Sequence, residues 1–230
     1  MLYLLILLIN ILTMNKTSYI GNKSNKGGFF MCKSFSTDVS SPTAYIKIRD
    51  YLLNELSPVL KSDVPIIFIC IGTDRSTGDS LGPLVGYKLK FLSKNNIHIY
   101  GTLDNPIHSK NLSEILDKIN STFNNPYIIA IDSCLGSLTN IGKIFIEKKP
   151  LRPGLALNKS LPQVGEMNIT GIVNISGNFE FLVLQNTRLS IVMNLADVIS
   201  KGIYYFTLNL STKHHSKANT INDSLYISDN

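Results

Sequence analysis

Cysteine is scarce in this chain: three in 230 residues, Cys32, Cys70 and Cys134, with no Cys-x-x-Cys pair. That argues against a disulfide framework and fits free thiols in a reducing, cytoplasmic compartment. The glycine motifs that cradle nucleotides are missing as well. No Gly-Lys-Ser/Thr closes a Walker-type loop, and no Gly-x-Gly-x-x-Gly is present. Charge is low, at 17% of residues, and the net +6 is unevenly placed. Lys16, Lys23, Lys26 and Lys33 stand ahead of the domain, while Lys213, Lys217, Asp223 and Asp229 cancel behind it. What is left on the domain is too little for a nucleic-acid footprint. No apolar run reaches the roughly 20 residues of a membrane-spanning helix. The first twelve residues, MLYLLILLINIL, are interrupted by Asn10, have no positive segment before them and no small-residue cleavage site after them.

These absences frame the organisation. Residues 1–41 are expected to be an apolar start plus a disordered linker rich in Ser, Asn, Lys and Gly, with Met14 and Met31 as alternative starts. A chain shortened to begin at Met31 or Phe35 is expected to fold. Residues 42–206 are expected to form one α/β domain and residues 207–230 a loose polar tail.

What is present centres on residues 65–86, PIIFICIGTDRSTGDSLGPLVG. Ile66 to Ile71 is an unbroken apolar run, the signature of a strand buried on both faces of a parallel sheet. A polar loop follows, then an apolar set at helical spacing (Leu84, Val85, Tyr87, Leu89, Leu92) with Asp79 and Ser80 at its entrance and Pro83 in its first turn. Further strands are predicted at 97–100, 127–131, 142–147 and 168–175. Helices are predicted over 42–60, with Tyr45, Ile48, Leu52, Leu53 and Leu56 inward, and over 107–119, with Leu112, Ile115, Leu116 and Ile119 inward. A long helix is predicted over 179–203, with Phe181, Leu184, Leu189, Val192, Leu195 and Ile199 in the core. The stretch 148–164 is long for a structureless connection, so it is either functional or hides an element. The fold class is α/β: a three-layer sandwich with a mostly parallel central sheet and helices on both faces.

In such a sheet, the loops leaving the carboxyl ends of strands line the ligand crevice. Asp79 and Asp132 follow the first and third of these predicted strands, so they are placed to converge. One would stay ionised and activate water while the other holds a proton. The alternative is that Asp79 caps a helix and Asp132 satisfies strand-end amides. Asp74 with this pair would offer oxygen ligands to magnesium or calcium, though no metal is expected. Asp104 and His108 follow the second predicted strand, beside the first loop: His108 is placed to shuttle a proton or bind substrate, or the group simply shapes a turn and helix start. Cys134 is either a thiolate nucleophile paired with His108 or a buried inert thiol. Asp74 and Arg75 are candidate substrate-binding residues of the first loop, and Arg188, in the unusually polar window Gln185-Asn186-Thr187-Arg188, is a candidate for binding substrate or for tying down Asp132 or another strand-end acid.

The run Thr77-Gly78-Asp79-Ser80-Leu81-Gly82-Pro83, with Gly72, resembles the first loop of the spore germination protease and, more distantly, of the hydrogenase maturation proteases. The segments IGTDRSTGDSLGPLVG, YGTLDNPIHSKNL, PGLALNKSLPQVGEMNITGIVN and LQNTRL together resemble the YyaC family of sporulation proteins. The resemblance implies a hydrogenase-maturation-protease-like fold. It places Asp79 and Asp132 at the germination protease's two functional aspartates, in Asp79-Ser80-Leu81-Gly82-Pro83 and Ile131-Asp132-Ser133. It also likens Lys159, in Pro153-Gly154-Leu155-Ala156-Leu157-Asn158-Lys159, to a substrate-facing lysine, against which stands a solvated loop lysine. Where the maturation proteases carry an acidic residue after the loop Asp, this chain has Ser80, and its only His after Asp132 are His214 and His215. Nickel recognition is therefore not implied.

The function expected is a sporulation-associated peptidase acting in the cytoplasm of the developing spore or mother cell, with water activated between Asp79 and Asp132. The alternative is a non-catalytic α/β module that grips an anion or small ligand. The partner implied is a protein or peptide substrate, spore proteins among them; no cofactor, nucleic acid or membrane partner is expected.

Overall fold

The computed structural model describes residues 34–62, 64–92, 96–154 and 161–225, with side chains described up to residue 210. The chain first forms a short strand absent from the sequence reading, Phe35–Asp38 (β1). Its Ser, Thr and Asp look like linker composition, and only its antiparallel pairing with a later strand makes it β. Helix Ala44–Glu55 (α1) buries Ala44, Ile48 and Leu52 at four-residue spacing, and Ser57–Lys61 (α2) adds a turn that carries Pro58 near its start, where proline is tolerated.

Strand Ile66–Cys70 (β2) is buried at every residue. Helix Leu81–Leu89 (α3) follows, then strand Ile97–Tyr100 (β3), helix Leu112–Thr122 (α4) and strand Tyr127–Gly136 (β4). Strand Lys143–Glu147 (β5) alternates buried and half-buried residues, whereas Met167–Ile175 (β6) is buried along most of its length. The chain closes with Glu180–Gln185 (α5) and Leu189–Leu225 (α6).

These strands form one six-stranded sheet in the order β1-β5-β6-β4-β2-β3. The β3–β2, β2–β4 and β4–β6 pairs are parallel; β5 runs antiparallel to both β6 and β1. Both apolar runs picked out in the sequence, β2 and the first half of β4, are interior strands of this sheet. Alternate residues face opposite ways. Ile66, Phe68 and Cys70 join a core with α1, α3 and α6, while Ile67, Ile69 and Ile71 join another with Ile107, Leu112 and Ile119 of the α4 side. The architecture is the expected three-layer α/β sandwich with a mostly parallel sheet.

Three expectations are corrected. The helix predicted over 179–203 is broken at residues 186–188, where Asn186 turns its carboxamide back onto the Leu182 carbonyl at 2.8 Å. That break shifts the helical phase, so Phe181 (54%) and Leu189 (57%) are exposed while Val192, Leu195 and Ile199 are buried. The tail predicted as loose from residue 207 continues α6 to Leu225; no Gly or Pro follows Gly202 to stop it. Finally, β4 does not end at Ile131 but runs on to Gly136 because β6 keeps pairing with it, Asp132 opposite Thr170. Among the described residues no helix is long and apolar enough to cross a membrane.

Candidate active site

The sheet has one point where neighbouring strands send their connections in opposite directions. From β2 the chain crosses through α3 to β3 on one side; from β4 it goes to β5 and β6 on the other. The crevice between the carboxyl ends of β2 and β4 is therefore the topological switch point, where α/β sheets bind ligands. Pairing of β2 with β4 stops at Cys70 opposite Ile131, so Asp132 is the first β4 residue beyond its neighbour's end. Asp79 comes from the β2 side, in a 3-10 turn, Gly78–Ser80, that runs directly into α3.

Close backbone contact holds this turn in place. Gly72, two residues beyond β2, has φ 141°, and a side chain there would stand 2.0 Å from the Asp79 carbonyl oxygen, which accepts the Thr73 N–H at 3.0 Å. Gly82 lies against the end of β2: a Cβ on it would stand 2.0 Å from the Ile71 carbonyl oxygen. Asp79 does not occupy an N-cap position but lies in the first turn of the 3-10 element. The N-cap positions of the two helical elements are Thr77 and Ser80, and neither makes a side-chain cap bond; Ser80 Oγ instead donates to the Thr77 carbonyl at 2.7 Å.

Asp79 and Asp132 are brought together electrostatically. Burial first, then repulsion from the Asp79 charge, raises Asp132 well above the usual carboxylate range, against the pull of the Ser133 N–H. That amide donates to Asp132 Oδ1 at 2.7 Å, so the strand-end role proposed as the alternative is also filled, by one oxygen. A carboxyl whose proton is held more tightly beside a second carboxylate is the arrangement of a split acid–base pair.

The other candidates fall around this centre. Ile107 bridges to Ile71 and its carbonyl accepts the Gly72 N–H at 2.7 Å, so the loop after β3 does lie beside the first loop. There Asp104, Asn105, Pro106, His108 and Asn111 line a groove of about 320 Å³. Asn111 stitches it, accepting the His108 N–H at 2.9 Å and donating to the Pro106 carbonyl at 3.0 Å. Asp104 is engaged with Lys90 at 3.4 Å, and His108 Nδ1 accepts the Lys110 N–H at 3.3 Å. Asp74 and Arg75 are exposed on the first loop. Lys159 lies outside the described residues.

Cys134 is exposed, contrary to the buried thiol offered as its bland reading. Crowding around the sulfur, ahead of repulsion from Asp132 and Glu180, raises its pKa, which opposes a thiolate nucleophile. Arg188 is exposed and, among the described residues, takes part in no ion pair with Asp132. Its neighbour Thr187 is the buried member of the polar window Gln185-Asn186-Thr187-Arg188; the sequence reading picked out the window but assigned its role to Arg188 rather than to Thr187. Among the described residues no three His, Cys, Asp or Glu side chains converge as a metal site would require.

The fold and site define an α/β protein with a two-aspartate crevice at its switch point. The chain belongs to the family described as Protein of unknown function (DUF1256), which matches residues 36–202 and so includes both aspartates. It is 51% identical over 183 residues, 78% of this chain and 88% of the relative, to the Uncharacterized protein YyaC of Bacillus subtilis (strain 168).

Proposed function

We propose that this protein is a sporulation-associated peptidase that hydrolyses peptide bonds with water activated between Asp79 and Asp132. The observation that carries the reading is the pairing itself: burial and the neighbouring Asp79 charge both raise the Asp132 carboxyl above the usual carboxylate range. Asp79 takes a proton from water as its oxygen attacks the peptide carbonyl, and Asp132 gives its proton to the carbonyl oxygen. Collapse of the tetrahedral species returns a proton to the leaving amine, with no covalent enzyme intermediate. Exposed apolar side chains near the carboxyl end of the sheet, Leu138, Phe179, Phe181 and Leu182, suit an extended polypeptide better than a small anion. Two carboxylates in one crevice also disfavour the alternative of an anion-binding module. The likeness of the first loop and of Ile131-Asp132-Ser133 to the germination protease supports the same assignment, with the cytoplasm of the developing spore or mother cell as its setting.

The test is incubation with small acid-soluble spore proteins and spore-coat proteins, with cleavage followed by mass spectrometry. Cleavage lost in both Asp79→Asn and Asp132→Asn supports the reading. Cleavage retained in either variant, or absent from the wild type across both substrate groups, overturns it.

A further inference from the structure

The break between α5 and α6 sits against the turn that carries Asp79. A Cβ added at Gly78 would stand 2.9 Å from Thr187 Oγ1, 2.9 Å from the Leu184 carbonyl oxygen and 2.8 Å from Leu184 Cδ2. Thr187 is 5% exposed, and its hydroxyl is satisfied in both senses. It donates to the Val183 carbonyl at 2.8 Å and accepts from Asn174 Nδ2 at 3.2 Å. Asn174 also reaches the Val183 carbonyl at 3.4 Å and receives the Ile175 N–H on Oδ1 at 2.8 Å. It lies on β6 opposite Leu135 of β4, three residues beyond Asp132.

Two separate routes therefore join the aspartates. One is the direct β2–β4 pairing below them. The other runs from Asp132 along β4 to Leu135, across to Asn174, through the Thr187 hydroxyl, and onto Gly78 beside Asp79. A helix interrupted for three residues gives up backbone hydrogen bonds, and a buried polar link is kept at the break. Arg188, the charged member of the same window, is exposed and takes no part.

We propose that Asn174 and Thr187 form a brace that sets the separation of Asp79 and Asp132, with Thr187 as a positioning residue for the pair. The proposal rests on the peptidase reading for its consequence in turnover, but not for its geometry. With the brace cut, the Gly78–Ser80 turn loses its support from the β6 side and shifts away from β4 as far as its contacts at Gly72 and Gly82 allow. Repulsion between the carboxylates then falls, and the proton that Asp79 helps to hold on Asp132 is released at lower pH. The ionisable groups around Asp132 that bear on this are Asp79, Cys134 and, through Cys134, Glu180 and Glu147.

The test is a carbon-detected NMR titration of Asp132 in the full chain, which needs no substrate, alongside cleavage of spore proteins. In Thr187→Val, which keeps the shape and removes the hydroxyl, the Asp132 midpoint is expected to fall by about half a pH unit or more, toward its value in Asp79→Asn. Turnover is expected to fall about 10- to 100-fold. Thr187→Ser, which restores the hydroxyl, is expected to bring the midpoint back toward wild type. If Thr187→Val does not fold, Asn174→Leu cuts the same link from the β6 side and is read in the same way. A lowered melting temperature with an unmoved Asp132 midpoint would reduce Thr187 to a packing residue and overturn the brace. Absence of cleavage by the wild type with the midpoint still shifted would sink the peptidase reading and leave the brace standing.

Discussion

The two ends of β4 treat a nearby carboxylate in opposite ways. At its start, Glu166 Oε2 accepts the Ile128 N–H at 2.7 Å, and the Glu166 N–H donates back to the Ile128 carbonyl at 3.0 Å. A groove of about 340 Å³ there, lined by Pro58, Val59, Val64, Tyr127 and Glu166, joins apolar walls to an acid already engaged with a backbone donor. Beyond the middle of the strand, Asp132 accepts its neighbour's N–H and faces the charge of Asp79. The first arrangement pairs an acceptor with a donor and stabilises the fold. The second sets two acids against each other, which raises the cost of ionising both and is the kind of arrangement expected of a functional site. Carboxylates in a sheet protein are thus told apart by what faces them rather than by how deep they lie.

The sharpest way to break this contrast is to neutralise each acid in turn. Asp79→Asn and Asp132→Asn are each expected to lower peptide hydrolysis by about 10³-fold or more, with the double variant costing little beyond either single one, as for groups acting as a unit. Cleavage rates on spore proteins check this. Glu166→Ala is expected to leave those rates alone.

The next effect is on the backbone that supports Asp79. Gly72→Ala places a methyl 2.0 Å from the Asp79 carbonyl oxygen at a φ of 141°. It is expected to cost on the order of 3 kcal/mol and to lower turnover as well, because the clash is with the turn itself. Denaturant melts run beside the cleavage assay separate the two losses. Glu166→Ala, by leaving the Ile128 N–H without its side-chain acceptor, is expected to cost about 1–2 kcal/mol in the same melts.

The smallest effect has the opposite sign. Because Asp132 is raised above its unfolded value of 3.8, the native protein holds this proton more tightly than the unfolded chain. The stability it confers is full below pH 3.8 and is lost as pH rises through the folded value. Asp132→Asn is therefore expected to be more stable than wild type at neutral pH, with the gain vanishing below pH 3.8. Melting temperatures of both proteins across pH 3–8 read this directly; a loss of stability at neutral pH would show that the charged form is the favoured one.

Much of the architecture was legible in the residues themselves. The runs at 66–71 and 127–131 have no polar alternation, so each had to lie inside a sheet covered on both faces, and that alone placed Asp79 and Asp132 at one end of it. The helical stripes Ile48, Leu52, Leu56 and Leu112, Ile119 are buried as their spacing required. Other features needed partners distant in sequence. Phe35–Asp38 is a strand only because β5 lies beside it, and β4 reaches Gly136 only because β6 continues to pair. Likewise, Thr187 rather than Arg188 became the buried residue of its window because the packed helices put Gly78 and Asn174 against it. Local periodicity reports how much of an element is buried and on which face. Which polar groups meet, and whether a carboxylate meets a donor or another carboxylate, depends on contacts between elements far apart in the chain, and those exist only once the layers have packed.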